Sequence, residues 1–365
     1  MQTPLCARLG IPYPIIQAPI ASVTTPGLVA AVSNAGGLGS LGSLGSLTLP
    51  ARAIIEQSAA IRTLTKNPFN LNLFVLDPAC IDDAQIARVL QLLAPAHAEL
   101  GLPPPKALTS YGHSLQDQLD AIVEAKPRVA SFHIGLLDAS AVARLKQAGI
   151  FVIGSATNVA EARAWVASGA DAVCAQGAEA GGHRGTFIGD VQASMIGTMA
   201  LVPQIIDAVD VPVIAAGGIM DGRGIAAALA LGAQAVQLGT SFLSSAEAST
   251  PPVWRNALRT AVDTSTTLTK AFTGRHARGI ANEFMRYMVA HEDDLPPYSV
   301  HSALTGDMRR AAAGAGRGEF LSMWAGQAAS MTGGRGANIS AAQLVADLVE
   351  ETKRVLAHLV RVQAG

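Results

Sequence analysis

The chain has 365 residues, half of them hydrophobic, 15% charged and 4% aromatic, with a formal net charge of −1. This composition supplies a large covered core and excludes a disordered chain. The lack of any basic block speaks against nucleic acid or an acidic membrane surface as a partner. Cys6, Cys80 and Cys174 are far apart with no CxxC pair, and the N-terminus lacks a signal-peptide layout. Together these predict a cytoplasmic protein with no disulfide framework and no metal site.

In chain order, short apolar runs read as strands at 14–20, 38–42, 70–75, 129–135, 150–156, 172–177, 211–217 and 235–240. Alanine-rich amphipathic stretches lie between them, among them 27–36, 50–64, 139–149 and 158–170. Apolar strands alternating with helices indicate a parallel sheet covered on both faces. Eight such units in series predict an α/β fold, a (β/α)₈ TIM barrel, with an open doubly wound sheet as the runner-up. Residues 106–112 are a ninth strand candidate. The weakly charged run 224–243 contains glycines, glutamines and a turn, so it reads as a buried helix and strand and not a membrane span. Residues 246–320 lose the alternation and carry Pro251, Pro252, Pro296 and Pro297, which predicts an inserted, mainly helical cap. The domains expected are therefore a barrel over 1–245, a cap over 246–320, and a C-terminal helical segment, 321–365, that completes the barrel.

In such a barrel the chemistry sits at the carboxyl ends of the strands. Those ends carry Gln17, Ala18 and Pro19 on the first strand, Asn72 on the third, His133 on the fourth and Gln176 on the sixth. Gly181, Gly182 and His183 follow the sixth strand, Gly217 and Gly218 the seventh, and the eighth brings Gln237, Leu238, Gly239 and Thr240. Glycine-containing turns after two consecutive strands suit a phosphate, either of a substrate or of a flavin mononucleotide. Buried carboxamides at Asn72, Gln176 and Gln237 need partners, which an isoalloxazine edge or neighbouring backbone could supply. Histidine is the natural proton-transfer residue near neutral pH, so His183 is the catalytic candidate. His133 reads as a substrate contact or a satisfied core histidine. His276, His291 and His301 show no metal-ligand spacing.

"QAPI", "NLNLF", "AQGAEAGGHRG", "AAGGI", "QLGTSFL" and the late "WAGQ" (324–327) together resemble the nitronate monooxygenase family, in the family's order along nearly the whole chain. The resemblance implies a (β/α)₈ barrel with a cap, non-covalent FMN, and His183 beside the flavin. It implies FMN contacts at Asn72, Gln176, Gly181, Gly218, Gln237, Gly239 and Thr240, with Ala18, Pro19, Gly182, Gly217 and Leu238 expected beside them. "WAGQ" adds Trp324, Gly326 and Gln327 and points to the branch acting on propionate 3-nitronate, with Tyr298 as a substrate contact. The implied reaction is oxidation of a nitronate by O2, through a flavin semiquinone, to a carbonyl compound and nitrogen oxyanions. Residues 299–306 depart from the family pattern, with His301 and Gly306 where a more polar or cationic lining is expected. Arg309 or Arg310 is then left to meet an anionic substrate, or to be plain surface charge. FMN- and NAD(P)H-dependent reductases, of the enoyl-acyl carrier protein or quinone type, resemble the same motifs and are the alternative. A dehydrogenase of the IMP type needs a cysteine in the loop after the sixth strand, where this chain has His183. A flavin-storing protein is the non-enzymatic alternative.

Overall fold

The computed structural model describes residues 1–42, 50–78, 81–335 and 338–364. In chain order its strands are β1 (Ile15–Gln17), β2 (Gly39–Leu41), β3 (Phe69–Phe74), β4 (Val129–His133), β5 (Phe151–Ala156), β6 (Ala172–Gln176), β7 (Gly182–His183), β8 (Val213–Ala216), β9 (Ala235–Leu238), β10 (Thr266–Thr269) and β11 (Ala277–Ile280). Eight of them form one parallel sheet in the order β1-β9-β8-β6-β5-β4-β3-β2. A parallel bridge between Ile16 and Leu38 joins its two ends, so the sheet is a (β/α)₈ barrel and not an open one. Closure leaves no edge of this sheet unpaired.

The sequence runs overshoot the strands at their carboxyl ends. Residues 18–20 and 134–135 leave the ladder to form the rim of the mouth. The ninth candidate, 106–112, follows Pro103, Pro104 and Pro105 and pairs with no strand among the described residues. Helices start where a side chain can cap them. Asp82, Ser114, Asp138, Asn158 and Asp221 each accept a hydrogen bond from the first turn of the helix they precede.

Both mouths of the barrel are covered. Helix Pro4–Leu9 sits at the amino end, where Thr3 and Leu5 bond to Gln234, the residue before β9. Its Leu5, Cys6 and Leu9 pack with Ile16, Leu38, Val129, Phe151 and Ile214 inside the barrel. The long helix Ala341–Ala364 packs on helices Gly222–Ala230 and Pro26–Asn34 and supplies the missing outer layer between β9 and β1. The 224–243 run is a helix ending at Ala230 followed by β9, and among the described residues no helix is long and apolar enough to cross a membrane.

Residues 246–320 hold short helices and one strand pair that composition did not disclose. β10 and β11 form a hairpin, and β11 pairs in turn with β7, immediately after the barrel strand β6. Residues 266–280 are thereby hydrogen-bonded to the loop that follows β6 at the carboxyl end of the barrel.

Candidate active site

Side chains alternate along a strand, so every second residue faces the barrel interior. The inward series begin apolar and end polar: Val129, Ser131, His133 on β4; Ile153, Ser155 on β5; Cys174, Gln176 on β6; Ala235, Gln237 on β9. The polar ends open into a cavity of about 1220 Å³ between the carboxyl ends of the strands and the insertion.

His183 reaches this cavity because β7 is clamped from both sides. Gly182 takes φ +75°, a conformation that glycine adopts without strain. Gly181 passes so close to the 324–327 segment that a Cβ there would lie 2.5 Å from the Ala325 carbonyl carbon and the Gly326 nitrogen. His183 and Gly182 pair with Ala277 and Arg278 of β11, and the Arg184 amide donates to the His276 carbonyl at 2.8 Å. From below, the Gln176 amide donates to the His183 carbonyl (2.9 Å), and its oxygen accepts from the Gly185 amide (2.9 Å). The His133 Nε2 lies 3.0 Å from the same His183 carbonyl and donates to it.

The imidazole of His183 lies among aromatic rings: Tyr298 at 5.0 Å, Trp324 at 5.5 Å and Phe74 at 5.7 Å between centroids. Its Nε2 is 3.0 Å from the Thr273 hydroxyl, which donates its one hydrogen to the Arg275 carbonyl at 3.2 Å. With that hydrogen on the carbonyl, Thr273 accepts from the ring, an arrangement that puts the neutral ring's proton on Nε2 and its lone pair on Nδ1. Burial, then the positive charge of Arg275, holds His183 well below its usual pKa, with smaller contributions from His133 and Arg309. Burial likewise pulls His133 down to about 4 and pushes the Tyr298 phenol up to about 12. At neutral pH both histidines are uncharged and the phenol keeps its proton. Burial also raises the Cys174 thiol to about 12, which removes it as a nucleophile.

Ala18, Pro19, Asn72, His133, Gln176, Gly181, Gly182, His183, Gly217, Gly218, Gln237, Gly239, Thr240, Tyr298, Trp324 and Gly326 all line this one cavity. Leu238 and Gln327 do not. The Leu238 side chain points to the outer core with no exposed surface, and its carbonyl accepts from the Ala18 amide. Gln327 is exposed, and it is its backbone amide that donates to the Glu179 carbonyl. His301 also lies outside the cavity. It is fully buried, with Nε2 donating to the Ala271 carbonyl at 2.8 Å, and burial lowers it to about 4. Gly306, Arg309 and Arg310 do line the cavity. Cys80 lies outside the described residues, and among those described no cluster of His, Cys, Asp and Glu could hold a metal.

The lining fits a flavin nucleotide. Gly217 and Gly218 take φ +113° and +71° and turn the backbone toward the cavity, opposite Gly239 and Thr240. Asn72 lines the cavity and donates to Ser131, and its Oδ1 is buried with no protein partner, which suits a donor from a bound group. The Gln237 side chain is similarly uncommitted among the described residues, whereas Gln176 spends its amide on the loop backbone and holds His183 in place.

Several residues that hold the site gave no motif. Glu161, fully buried, accepts from Thr157, Phe187 and Ile188 and ties the end of the His183 loop to β5. Glu179 caps helix Thr198–Ile206 by accepting from the Thr198 amide at 2.9 Å. Arg184 donates to the Gln176 and Ser194 carbonyls, Arg275 to those of Arg184 and Thr186, and Arg278 to that of Ala178. A charged residue at a buried helical position, as with Glu161, was the one local clue available.

The sequence profile described as nitronate monooxygenase matches residues 2–351. A probable nitronate monooxygenase of Staphylococcus aureus (strain MSSA476) is 40% identical over 353 residues, covering 96% of this chain and 98% of that protein. The solved nitroalkane oxidase of Streptomyces ansochromogenes superimposes with a TM-score of 0.87 at 38% identity, over 96% of this chain and 98% of that one. FabK from Thermotoga maritima is more distant, with a TM-score of 0.76 at 29% identity over 99% of each chain. With its profile, its relatives and its barrel in agreement, the chain belongs to the nitronate monooxygenase family of oxidoreductases.

Proposed function

We propose that the protein binds FMN in this cavity and oxidises alkyl nitronates, propionate 3-nitronate among them, with O2 to a carbonyl compound and nitrite or nitrate. The observation that carries this reading is the meeting, in one cavity, of the turned backbone at Gly217–Gly218, the unpartnered Asn72 Oδ1 and an uncharged His183. In this reading residues 1–245 hold the cofactor, residues 246–320 roof it over the substrate, and residues 321–365 complete the barrel.

Backbone amides at Gly217, Gly218 and Gly239, with the Thr240 hydroxyl, would hold the phosphate, and Asn72 and Gln237 the ring edge. Bound there, the flavin supplies a redox centre able to take electrons from the substrate and pass them to oxygen. The chain's own residues do the rest. His183 offers the Nδ1 lone pair to the α-hydrogen of a neutral nitroalkane; a nitronate, already deprotonated, needs no base and only the correct placement. Tyr298 keeps its proton and offers a hydrogen-bond donor beside it. The rings of Phe74, Tyr298 and Trp324 keep water from the reacting face.

The test uses the purified protein. Expected are a visible flavin spectrum, O2 uptake on addition of propionate 3-nitronate, and no anaerobic bleaching by NADH or NADPH. Bleaching by a nicotinamide with no nitronate-dependent O2 uptake would replace this reading with a reductase.

A further inference from the structure

The barrel interior is mostly apolar, with Ile16, Leu38, Val129, Ile153, Cys174 and Ile214 in one packed cluster. Four buried polar side chains break that pattern on adjacent strands: Ser40 on β2, Asn70 and Asn72 on β3, and Ser131 on β4. Ser40 is the ladder partner of Asn70, and Ser131 that of Asn72, so alternation puts all four on the inward face. The Ser131 Oγ accepts from the Asn70 amide at 2.8 Å and from the Asn72 amide at 2.9 Å. Asn72 also donates to the Ser131 carbonyl, at 3.1 Å. A carbonyl oxygen only accepts, so this contact fixes which way round the Asn72 carboxamide lies: nitrogen to Ser131, oxygen away from it.

Asn72 and Ser131 line the cavity, and the Asn72 Oδ1 is buried with no protein partner. Nearer the amino end of the strands, the Ser40 Oγ and Asn70 Oδ1 are buried without partners as well. Each unpaired buried group carries a desolvation penalty that an apolar side chain would avoid. Fold stability alone therefore does not account for this cluster. It does one thing that apolar residues cannot: it spends the Asn72 nitrogen on the protein and leaves the cavity an oxygen held in one orientation.

We propose that Ser131 is a positioning residue for the cofactor site, holding the Asn72 carboxamide so that it meets the flavin ring as a hydrogen-bond acceptor only. Asn70 braces the same hydroxyl from the other side. The oxidised flavin ring carries a single N–H, on its pyrimidine edge, and this is the one group of the ring that satisfies a locked acceptor. A carboxamide free to turn could accept from that N–H or donate to a ring oxygen or nitrogen. The lock removes the choice and favours the ring that keeps its proton. This assignment rests on the FMN reading above, and it extends that reading from which residues hold the ring to what fixes their polarity.

The experiment reads FMN affinity from the fluorescence released when flavin-loaded protein is diluted, for the unmodified protein, Ser131→Ala, Asn72→Ala and the double variant. Asn72→Ala weakens FMN ~10-fold and Ser131→Ala ~5-fold, and the double variant stays at ~10-fold instead of the ~50-fold that independent losses give. The second readout is the alkaline ionisation of the bound ring, followed in the visible spectrum. It takes a higher pH in the unmodified protein than in Ser131→Ala, where the freed amide turns its N–H toward the deprotonated ring. Loosened packing alone would weaken FMN without moving that ionisation. Ser131→Cys nearly keeps the volume and replaces the oxygen by a weak acceptor, so it moves both readouts the same way should Ser131→Ala not fold. Additive losses, FMN affinity unchanged in the Ser131 variants, or an ionisation that stays where it was would each overturn the proposal and leave the FMN reading standing. An unmodified protein that takes up no FMN would overturn both.

Discussion

At His183 the ring's proton is placed by one hydroxyl. Thr273 has a single hydrogen and two neighbours for it, and when the hydrogen goes to the Arg275 carbonyl the hydroxyl accepts from the imidazole. Removing that acceptor frees the ring to exchange tautomers and to put its proton on the nitrogen that should act as base. Thr273→Val is therefore expected to lower kcat by ~10-fold on a neutral nitroalkane, where a proton must be abstracted, and by much less on the corresponding nitronate. The ratio of the two rates is the measurement. An unchanged ratio would mean that Thr273 does not set the tautomer. Strain lies close by as well. Ile134, next to His133, has φ +79°, and Ser299, next to Tyr298, has φ +68°. Such backbone is unusual for non-glycine residues and marks sites that the surroundings over-determine.

At the level of elements, β7 decides the site. It is two residues long, yet it joins the barrel to the insertion by pairing with β11 and packing on the 324–327 segment. The contact at Gly181 is backbone against backbone, so no flexible side chain can yield. Gly181→Ala is expected to push Trp324 and Gly326 out of the cavity wall, lowering flavin occupancy several-fold and destabilising the fold by about 2 kcal/mol. The ratio of visible to ultraviolet absorbance and the urea midpoint report the two effects separately. A fully flavin-loaded variant with an unshifted midpoint would show that the close approach is not needed.

Over the whole molecule, burial of uncharged histidines sets the acid limit. Burial holds His133 and His301 down to about 4 and places His183 well below its usual range, each with desolvation as the leading cause. Unfolded, each takes up a proton as pH falls through about 6.5. Between that pH and about 4 the unfolded chain binds more protons than the native one, so stability rises with pH across the window and is lost as pH falls. For the fully buried His301 the loss amounts to about 3 kcal/mol by pH 4. The carboxyls held low at Asp120, Asp138 and Asp293 are exposed and add their effect only below this window. Urea midpoints at pH 7.5, 6 and 4.5 should fall in that order. Equal midpoints from pH 7.5 to 5 would mean that these histidines are not held neutral.

The barrel was legible in the sequence because burial on both faces writes itself as continuous apolar runs, and because strand ends bearing amides, glycines and histidines are local in the chain. Asn72, His183 and Gly217–Gly218 could be nominated on that basis alone, as could the closing helix Ala341–Ala364 from its spacing. What the tertiary structure decided depends on pairs distant in sequence. The pairing of β7 with β11, Thr273 on the His183 ring, Glu161 beneath the loop, and the approach of Gly181 to Gly326 each join segments that no local pattern connects. It also separated residues alike in sequence: Gln176 is spent on backbone while Asn72 keeps an unpartnered oxygen, and of two neighbouring arginines that line the cavity Arg309 bonds to Ser302 while Arg310 pairs with Asp307. Periodicity determines which faces leave water, but the partner that each buried polar group finds is fixed only when the chain closes on itself, because an unpaired group inside costs more than most local preferences supply.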